Sequence, residues 1–457
     1  MKIRLALALS VLLALLLPVT AFADVTSYSS GIQLQNIDAT QADITIIFYN
    51  ESDGTVATTV TDTIAAHASN TYYPLDALPN GFQGSAVVQS TTKVLAIVNV
   101  MGNGTQYGAS YIGFTAGATT VNLPLVERNN YGISTWFNVQ NAGAEDANVT
   151  ITYAVTPTCT ETATIKPGAA KSFYQKDLSC LPNGFAGAAS VSGGSVPVAV
   201  SVIQEITSSM GQKPGLLAYN GFTSASTNPI MPLVSSGYWK SGTGIQVQNT
   251  GATATDVTIT YTPSSGFPGA TCTDTKNILA HASVTYLNPP TACLTNGGAA
   301  GAAAFVGSAK VSGNSASMPL VAIVNQVTTG SSNSAAYGAF DAATGTSNVS
   351  LPLIMDRNYG YFTGFSIANV GTSPTNISCT FTDKLGNPVS YTAAATNVAP
   401  GAALTDVQLN KISSTFVGAA VCTATGGDAK IVGVVNELNG SAGPTSDALL
   451  VYEGQNY

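Results

Sequence analysis

One pattern that returns four times constrains this chain more than anything else in it. The segments Gly31-Ile-Gln-Leu-Gln-Asn36, Trp136-Phe-Asn-Val-Gln-Asn141, Gly244-Ile-Gln-Val-Gln-Asn249 and Gly364-Phe-Ser-Ile-Ala-Asn369 alternate apolar and polar residues and close on asparagine. Their closing asparagines are 105, 108 and 120 positions apart. After a small polar turn each is followed by a second alternating run, at Asp43 to Tyr49, Asn148 to Tyr153, Asp256 to Tyr261 and Asn376 to Thr382. A period of two marks strands with one face in a core, and repetition at this spacing marks copies of one structural unit.

The rest of each copy reads the same way. A turn recurs at His67-Ala-Ser69, Gly168-Ala-Ala170, His281-Ala-Ser283 and Gly401-Ala-Ala403. Nearly continuous apolar runs follow at Val94 to Asn99, Val196 to Gln204, Leu320 to Asn325 and Ile431 to Asn436, and suit central strands. A last strand contains Tyr111 to Phe114, Ala218 to Phe222, Ala336 to Phe340 and Ala448 to Tyr452. About seven strands per ~105 residues predict an all-β chain of four tandem immunoglobulin-like β-sandwiches. The expected boundaries are 24–119, 120–227, 228–347 and 348–457, joined as a rod.

Residues 1–23 read as a signal peptide, with Lys2 and Arg4, an apolar run from Leu5 to Leu17 and a cleavage site at Ala21-Phe22-Ala23. The mature chain is expected to start at Asp24, secreted to the exterior or the cell surface, with no membrane insertion after cleavage. The formal net charge is −8, and loss of Lys2 and Arg4 makes it more negative by two. That balance opposes binding to nucleic acid and to anionic lipid, which require clustered Lys and Arg.

The asparagine-closed strand, the Gly-Ala turn, the Val-Thr-Ile-Thr-Tyr strand and the Pro-Gly-Ala or His-Ala-Ser turn resemble bacterial cell-adhesion-related (CARDB-like) surface domains. The clearest instances are Gln248 to Tyr261 and Val398-Ala-Pro-Gly-Ala402. The resemblance touches all four copies and implies an immunoglobulin-like sandwich used for adhesion or as a spacer. It brings no ligand-contacting residue, and His67 and His281 depart from the usual glycine turn.

Six cysteines in an exported chain are expected to pair. The repeat register selects Cys159 with Cys180, Cys272 with Cys293, and Cys379 with Cys422, leaving the first copy without a bridge. Zinc requires thiolates clustered with histidine, whereas these pairs fall in separate copies.

Catalytic patterns are weak. The two histidines share one turn position in different copies, and no Gly-x-Ser-x-Gly elbow exists. The acids Glu127, Glu145, Glu205 and Asp356 differ in place from copy to copy and read as solvated turn or junction residues, without the paired placement of a glycosidase. Asn50-Glu-Ser-Asp-Gly54 offers oxygen ligands for calcium, but a tight hairpin turn is the better reading. Sequons at Asn103, Asn148 and Asn348 are glycosylation acceptors if the host has the machinery. No cofactor is expected.

Aromatic residues Tyr131, Trp136, Tyr238, Trp239, Tyr359, Tyr361 and Phe362 gather just ahead of the first strands. Packing at the junctions is preferred over stacking on sugar rings.

One irregularity remains. Leu123-Pro-Leu125, Met231-Pro-Leu233 and Leu351-Pro-Leu353 each lie 18 residues ahead of a closing asparagine, and the cleaved first copy has no counterpart. Either the first copy lacks its opening strand or the fourth lacks its last; the terminal sheet edge is then blunted locally by the tail Asp24 to Ser30 or Tyr452 to Tyr457, the preferred reading, or left open for strand addition. The reading is a non-enzymatic structural or adhesion protein of a surface layer, filament, sheath or adhesin. Its partners would be other copies or surface proteins; the alternative is a carbohydrate-binding surface protein.

Overall fold

The computed structural model describes residues 25–457 except 105, 208–212, 299–300, 316, 414 and 441–445. The signal-peptide reading of residues 1–23 lies outside the described residues. Antiparallel strands build nearly everything else, in four successive blocks.

The first block holds β1 (Tyr28–Asn36), β2 (Ala42–Asn50), β3 (Val56–Ile64), β4 (Ser69–Tyr72), β5 (Gly84–Ser90), β6 (Val94–Gly102) and β7 (Tyr107–Ile112). The second holds β8 (Thr120–Arg128), β9 (Ile133–Asn141), β10 (Ala147–Tyr153), β11 (Cys159–Ile165), β12 (Ala170–Tyr174), β13 (Phe185–Ser192), β14 (Val198–Ile206) and β15 (Gly215–Asn220). The third runs through β16 (Pro229–Ser236), β17 (Ser241–Asn249), β18 (Thr255–Pro263), β19 (Cys272–Ile278) and β20 (Ser283–Leu287). It continues with β21 (Thr295–Asn296), β22 (Ala303–Gly313), β23 (Leu320–Thr328), β24 (Ser334–Gly338) and β25 (Phe340–Asp341). The fourth holds β26 (Asn348–Asp356), β27 (Tyr361–Asn369), β28 (Thr375–Asp383), β29 (Pro388–Val398), β30 (Ala403–Val407), β31 (Phe416–Thr425), β32 (Ile431–Asn439), β33 (Leu449–Glu453) and β34 (Gln455–Asn456).

Within a block two sheets face each other. In the second block the orders are β11-β10-β13-β8 and β12-β9-β14-β15, and in the fourth β29-β28-β31-β26-β34 and β30-β27-β32-β33. In the third block the same two sets join into one path, because Ser236 of β16 pairs with Gly242 of β17. The first block has β4-β1-β6-β7 opposite only β3-β2-β5.

Alternation places Val149, Ile151 and Tyr153 inward on β10 and Val257, Ile259 and Tyr261 inward on β18, all essentially buried. The three disulfides Cys159–Cys180, Cys272–Cys293 and Cys379–Cys422 each close within one block. The closing asparagines are staples. Asn141 Nδ2 donates to Glu145 O (2.7 Å) and Ile165 O (2.8 Å) while its Oδ1 accepts from Gly143 N (2.8 Å). Asn36, Asn249 and Asn369 make the corresponding bonds in their own blocks.

The blocks do not form the expected rod. Their last long strands meet in a closed cycle, β7 with β15, β15 with β24, β24 with β33 and β33 with β7. Asp447 ties this centre together: its carboxylate accepts from Leu216 N and Ser334 N (both 2.9 Å), and its own amide donates to Gln106 O (2.7 Å). Amide pairs, Gln204 with Asn325 and Gln326 with Asn436, link neighbouring central strands. Tandem order alone implies a rod; it does not register polar groups such as Gln204 and Asn325 that satisfy one another across the blocks.

Candidate functional site

The Leu-Pro-Leu segments decide which terminal block is incomplete. They lie in β8, β16 and β26, and these pair with β13, β22 and β31 of the blocks that follow them in sequence. Among the described residues the first block is therefore the one without an opening strand, and β5 is the end of its sheet.

In the complete blocks this strand is internal. On one side it pairs with the β13-type strand; on the other it meets the chain just after the last long strand, through Asn122 with Phe222, β16 with β25 and β26 with β34. A register shift falls at the proline each time, with Pro-Leu bulged opposite Ala188, Ser308 and Ala419. Proline has no amide to donate, so a bulge is where a strand tolerates it. Three tyrosines then clamp the strand: Tyr219 donates to Leu125 O (2.6 Å), Tyr337 to Leu233 O (2.5 Å) and Tyr452 to Leu353 O (2.6 Å).

Where the first block lacks this strand, a groove of about 1330 Å³ opens. One wall is the stretch from Phe82 to Val88, the other Gly113 to Ala116, and the floor includes Ile32, Leu34, Phe48, Val94, Ala96 and Val98. Residues buried in the second block are half-exposed here: Val191 against Val88, Val200 against Ala96, and Val202 against Val98. Tyr111, the counterpart of the clamping tyrosines, turns to Ser201. Gln140 Nε2 reaches Ala86 O at 3.4 Å, a long side-chain contact where a ladder would otherwise run.

The predicted site aromatics do not converge. Trp136 is half-buried and lines the groove, edge-on to Tyr28 (5.4 Å between ring centroids) and tilted on Tyr174 (6.1 Å). Tyr238 stacks on Trp239 and meets Phe267 edge-on. Tyr361 packs on the fourth core and Phe362 is buried. By contrast Tyr131, Trp239 and Tyr359 are exposed, at 69%, 65% and 92%, on the loops joining β8–β9, β16–β17 and β26–β27. Asn50 to Gly54 forms the hairpin turn, with Asp53 accepting from both Thr55 N and Thr55 Oγ1.

Two carboxylates depart from the solvated role expected of them. Glu127 is 3% exposed, and burial pushes it up to about 7 although Asn130 donates to it. Asp356 is fully buried; burial raises it, but the Arg357 guanidinium and the amides of Ile412 and Asn410 outweigh that and hold it below the usual range. Further buried acids, absent from the sequence reading, are Glu437, pushed up to about 8 by burial, and Asp447 and Glu453, both raised chiefly by burial. Glu127 lies in the second block and Glu437 and Asp356 in the fourth, and none of them lines the groove.

Sequence reasoning found the absent strand but missed Tyr111 and Gly84. Both carry a signal: Tyr111-Ile-Gly-Phe114 repeats as Tyr219-Asn-Gly-Phe222, and Gly84 matches Gly187 in the recurring Leu-Pro-Asn-Gly-Phe motif. No family model and no curated protein matches the chain.

Proposed function

We propose that this chain is a non-enzymatic structural or adhesion protein of the cell surface, exported with loss of residues 1–23, that joins a layer, filament, sheath or adhesin by strand addition at its first block. The groove carries the reading, because a sandwich whose sheet ends at β5 beside an apolar slot is a socket for another strand. The resemblance of the repeats to cell-adhesion-related domains supports the same class. Three disulfides fit an oxidising compartment. Among the described residues no helix is long and apolar enough to cross a membrane.

Electron microscopy and sedimentation of the protein beginning at Asp24, with its cell envelope, test the proposal. Envelope-bound particles or mixed fibres and lattices are expected. Dispersed particles that never associate with the envelope would refute it.

The three exposed loop aromatics favour a second reading, carbohydrate binding at the surface. That reading requires saturable glycan binding that Trp239→Ala removes.

A further inference from the structure

We infer that the groove of the first block accepts an extended segment of another polypeptide carrying alternating apolar side chains around Leu-Pro-Leu, inserted antiparallel to β5 and over the β9–β14 face of the second block. This rests on reading the groove as the assembly site, and it specifies what enters.

The occupant's chemistry is seen three times in the same molecule. Val121, Leu123 and Val126 fill the second block, Met231 and Val234 the third, and Leu351 and Ile354 the fourth, each essentially buried. The acceptor features persist in the first block although the strand does not. Gly84 stands where Gly307 and Gly418 face the bulge; in all three a Cβ would collide with a carbonyl of the strand on the other side, Tyr49, Thr262 or Thr382, at 1.9, 2.1 and 2.0 Å, so the wall keeps the same backbone path. Gly113 N donates to Ala96 O (2.9 Å) just as Gly221 N donates to Val200 O (2.7 Å), so the second wall follows the same path. Tyr111 holds the position of the clamping tyrosines and would exchange its bond to Ser201 for one to the inserted strand's carbonyl.

The inserted strand would also have a floor outside its own block. In the complete blocks the strand rests on the next sheet around the cycle: β8 on β17 and β23, β16 on β27 and β32, β26 on β1 and β6. Some of these contacts are hydrogen-bonded, Ser366 Oγ to Pro232 O (2.8 Å) and Ser350 Oγ to Gln35 Oε1 (2.9 Å). The remaining sheet, β9 and β14, presents Trp136, Asn138, Gln140 and Ser201 to the groove.

The chain ahead of β1 does not supply the strand in this reading. At the matching spacing stand Leu15 to Ala23, on the leader side of the expected cleavage. The loops that turn the complete strands back all need left-handed residues, with positive φ at Asn129, Tyr131 and Gly132, at Gly237, Trp239 and Lys240, and at Arg357, Tyr359 and Gly360. The counterpart Asp24-Val-Thr-Ser27 has neither glycine nor asparagine, and Thr26, which falls at the position of Tyr131, is β-branched and resists that conformation. Val25 packs instead on the cluster that holds Val100 and Leu216. A second copy is no donor either, since its three Leu-Pro-Leu strands are interior to their own blocks.

The test is binding of a labelled peptide of residues 119–128 to the protein beginning at Asp24, read by fluorescence anisotropy and by thermal shift. Saturable one-to-one binding with a raised melting temperature is expected. A peptide with Leu123→Asp and Leu125→Asp should not bind, Val88→Glu in the protein should weaken binding at least tenfold, and Tyr111→Phe about fivefold through one lost hydrogen bond. Folded protein that ignores this peptide and those of residues 228–237 and 347–356 overturns the inference, as does a leader peptide of residues 13–23 that binds more tightly than all three. If the peptides bind while the protein never associates with a surface, the inference stands and the surface role falls. If the protein assembles but ignores the peptides, the reverse holds.

Discussion

At the residue scale, two repeated positions show how local geometry is enforced. Each closing asparagine is buried and bonds three backbone groups from two different segments, so truncation leaves carbonyls and an amide without partners in a dry site. Asn141→Ala is expected to cost about 3 kcal/mol in chemical denaturation, and a loss below that of an ordinary surface substitution would show that the staple is dispensable. The turn position behaves oppositely. Gly168 and Gly401 adopt φ of 77° and 80°, and His67 and His281 are held at 60° in the same place, both exposed. A left-handed side chain there costs about 1 kcal/mol, part of which returns through the greater freedom of glycine when unfolded. His281→Gly should therefore stabilise slightly, by about 0.5 kcal/mol, and a fall in the denaturation midpoint would contradict the strain argument.

At the element scale, the strands were legible because alternation reports one buried face directly, as in Val149, Ile151 and Tyr153. The bridges were legible because Cys159–Cys180 and Cys272–Cys293 fall at one register. Replacing both Cys159 and Cys180 by serine is expected to cost about 3 kcal/mol from a loop of ~20 residues, seen as a lower melting temperature without a change in strand content by circular dichroism. What alternation could not convey is which sheet a strand joins: Leu123-Pro-Leu125 reads equally well as the end of one block or the start of the next. The backbone ladder settles it, and ladders leave no side-chain signature. Consequently β5 and β13, alike in sequence pattern, differ in environment. Native-state hydrogen exchange should find amides of Ser85 to Val88 less protected than those of Ala188 to Val191, because β5 has a ladder on one side only. Equal protection would mean that the β5 edge is covered in solution.

At the scale of the whole molecule, closure of the four blocks into a cycle buries acids that no local pattern marked. Asp447 sits among backbone amides of two other blocks and Glu453 accepts from Gly338 N (2.6 Å) of a third-block strand, so their surroundings exist only once the blocks have packed. Sparse charge, with Lys, Arg, Asp and Glu at 8% of the chain, leaves these carboxyls without cations at hand, and burial favours their neutral form. The consequence for stability has a definite sign. Glu127 at about 7 and Glu437 at about 8 bind protons in the folded chain that the unfolded chain has released by pH 5 to 6. Stability is then greatest near the ordinary carboxylate range and declines as pH rises through 7 to 8. With about 1.4 kcal/mol per pKa unit, Glu437 alone contributes a decline on the order of 5 kcal/mol. Asp356, held low by Arg357 and two amides, acts in the opposite direction and withdraws its contribution only as pH falls below its ordinary range. Melting curves should therefore peak in mild acid and fall steadily to pH 8.5, and Glu437→Gln, neutral at every pH, should flatten the fall. A melting temperature that rises from pH 5 to 8 would mean that Glu127 and Glu437 reach water in the folded chain.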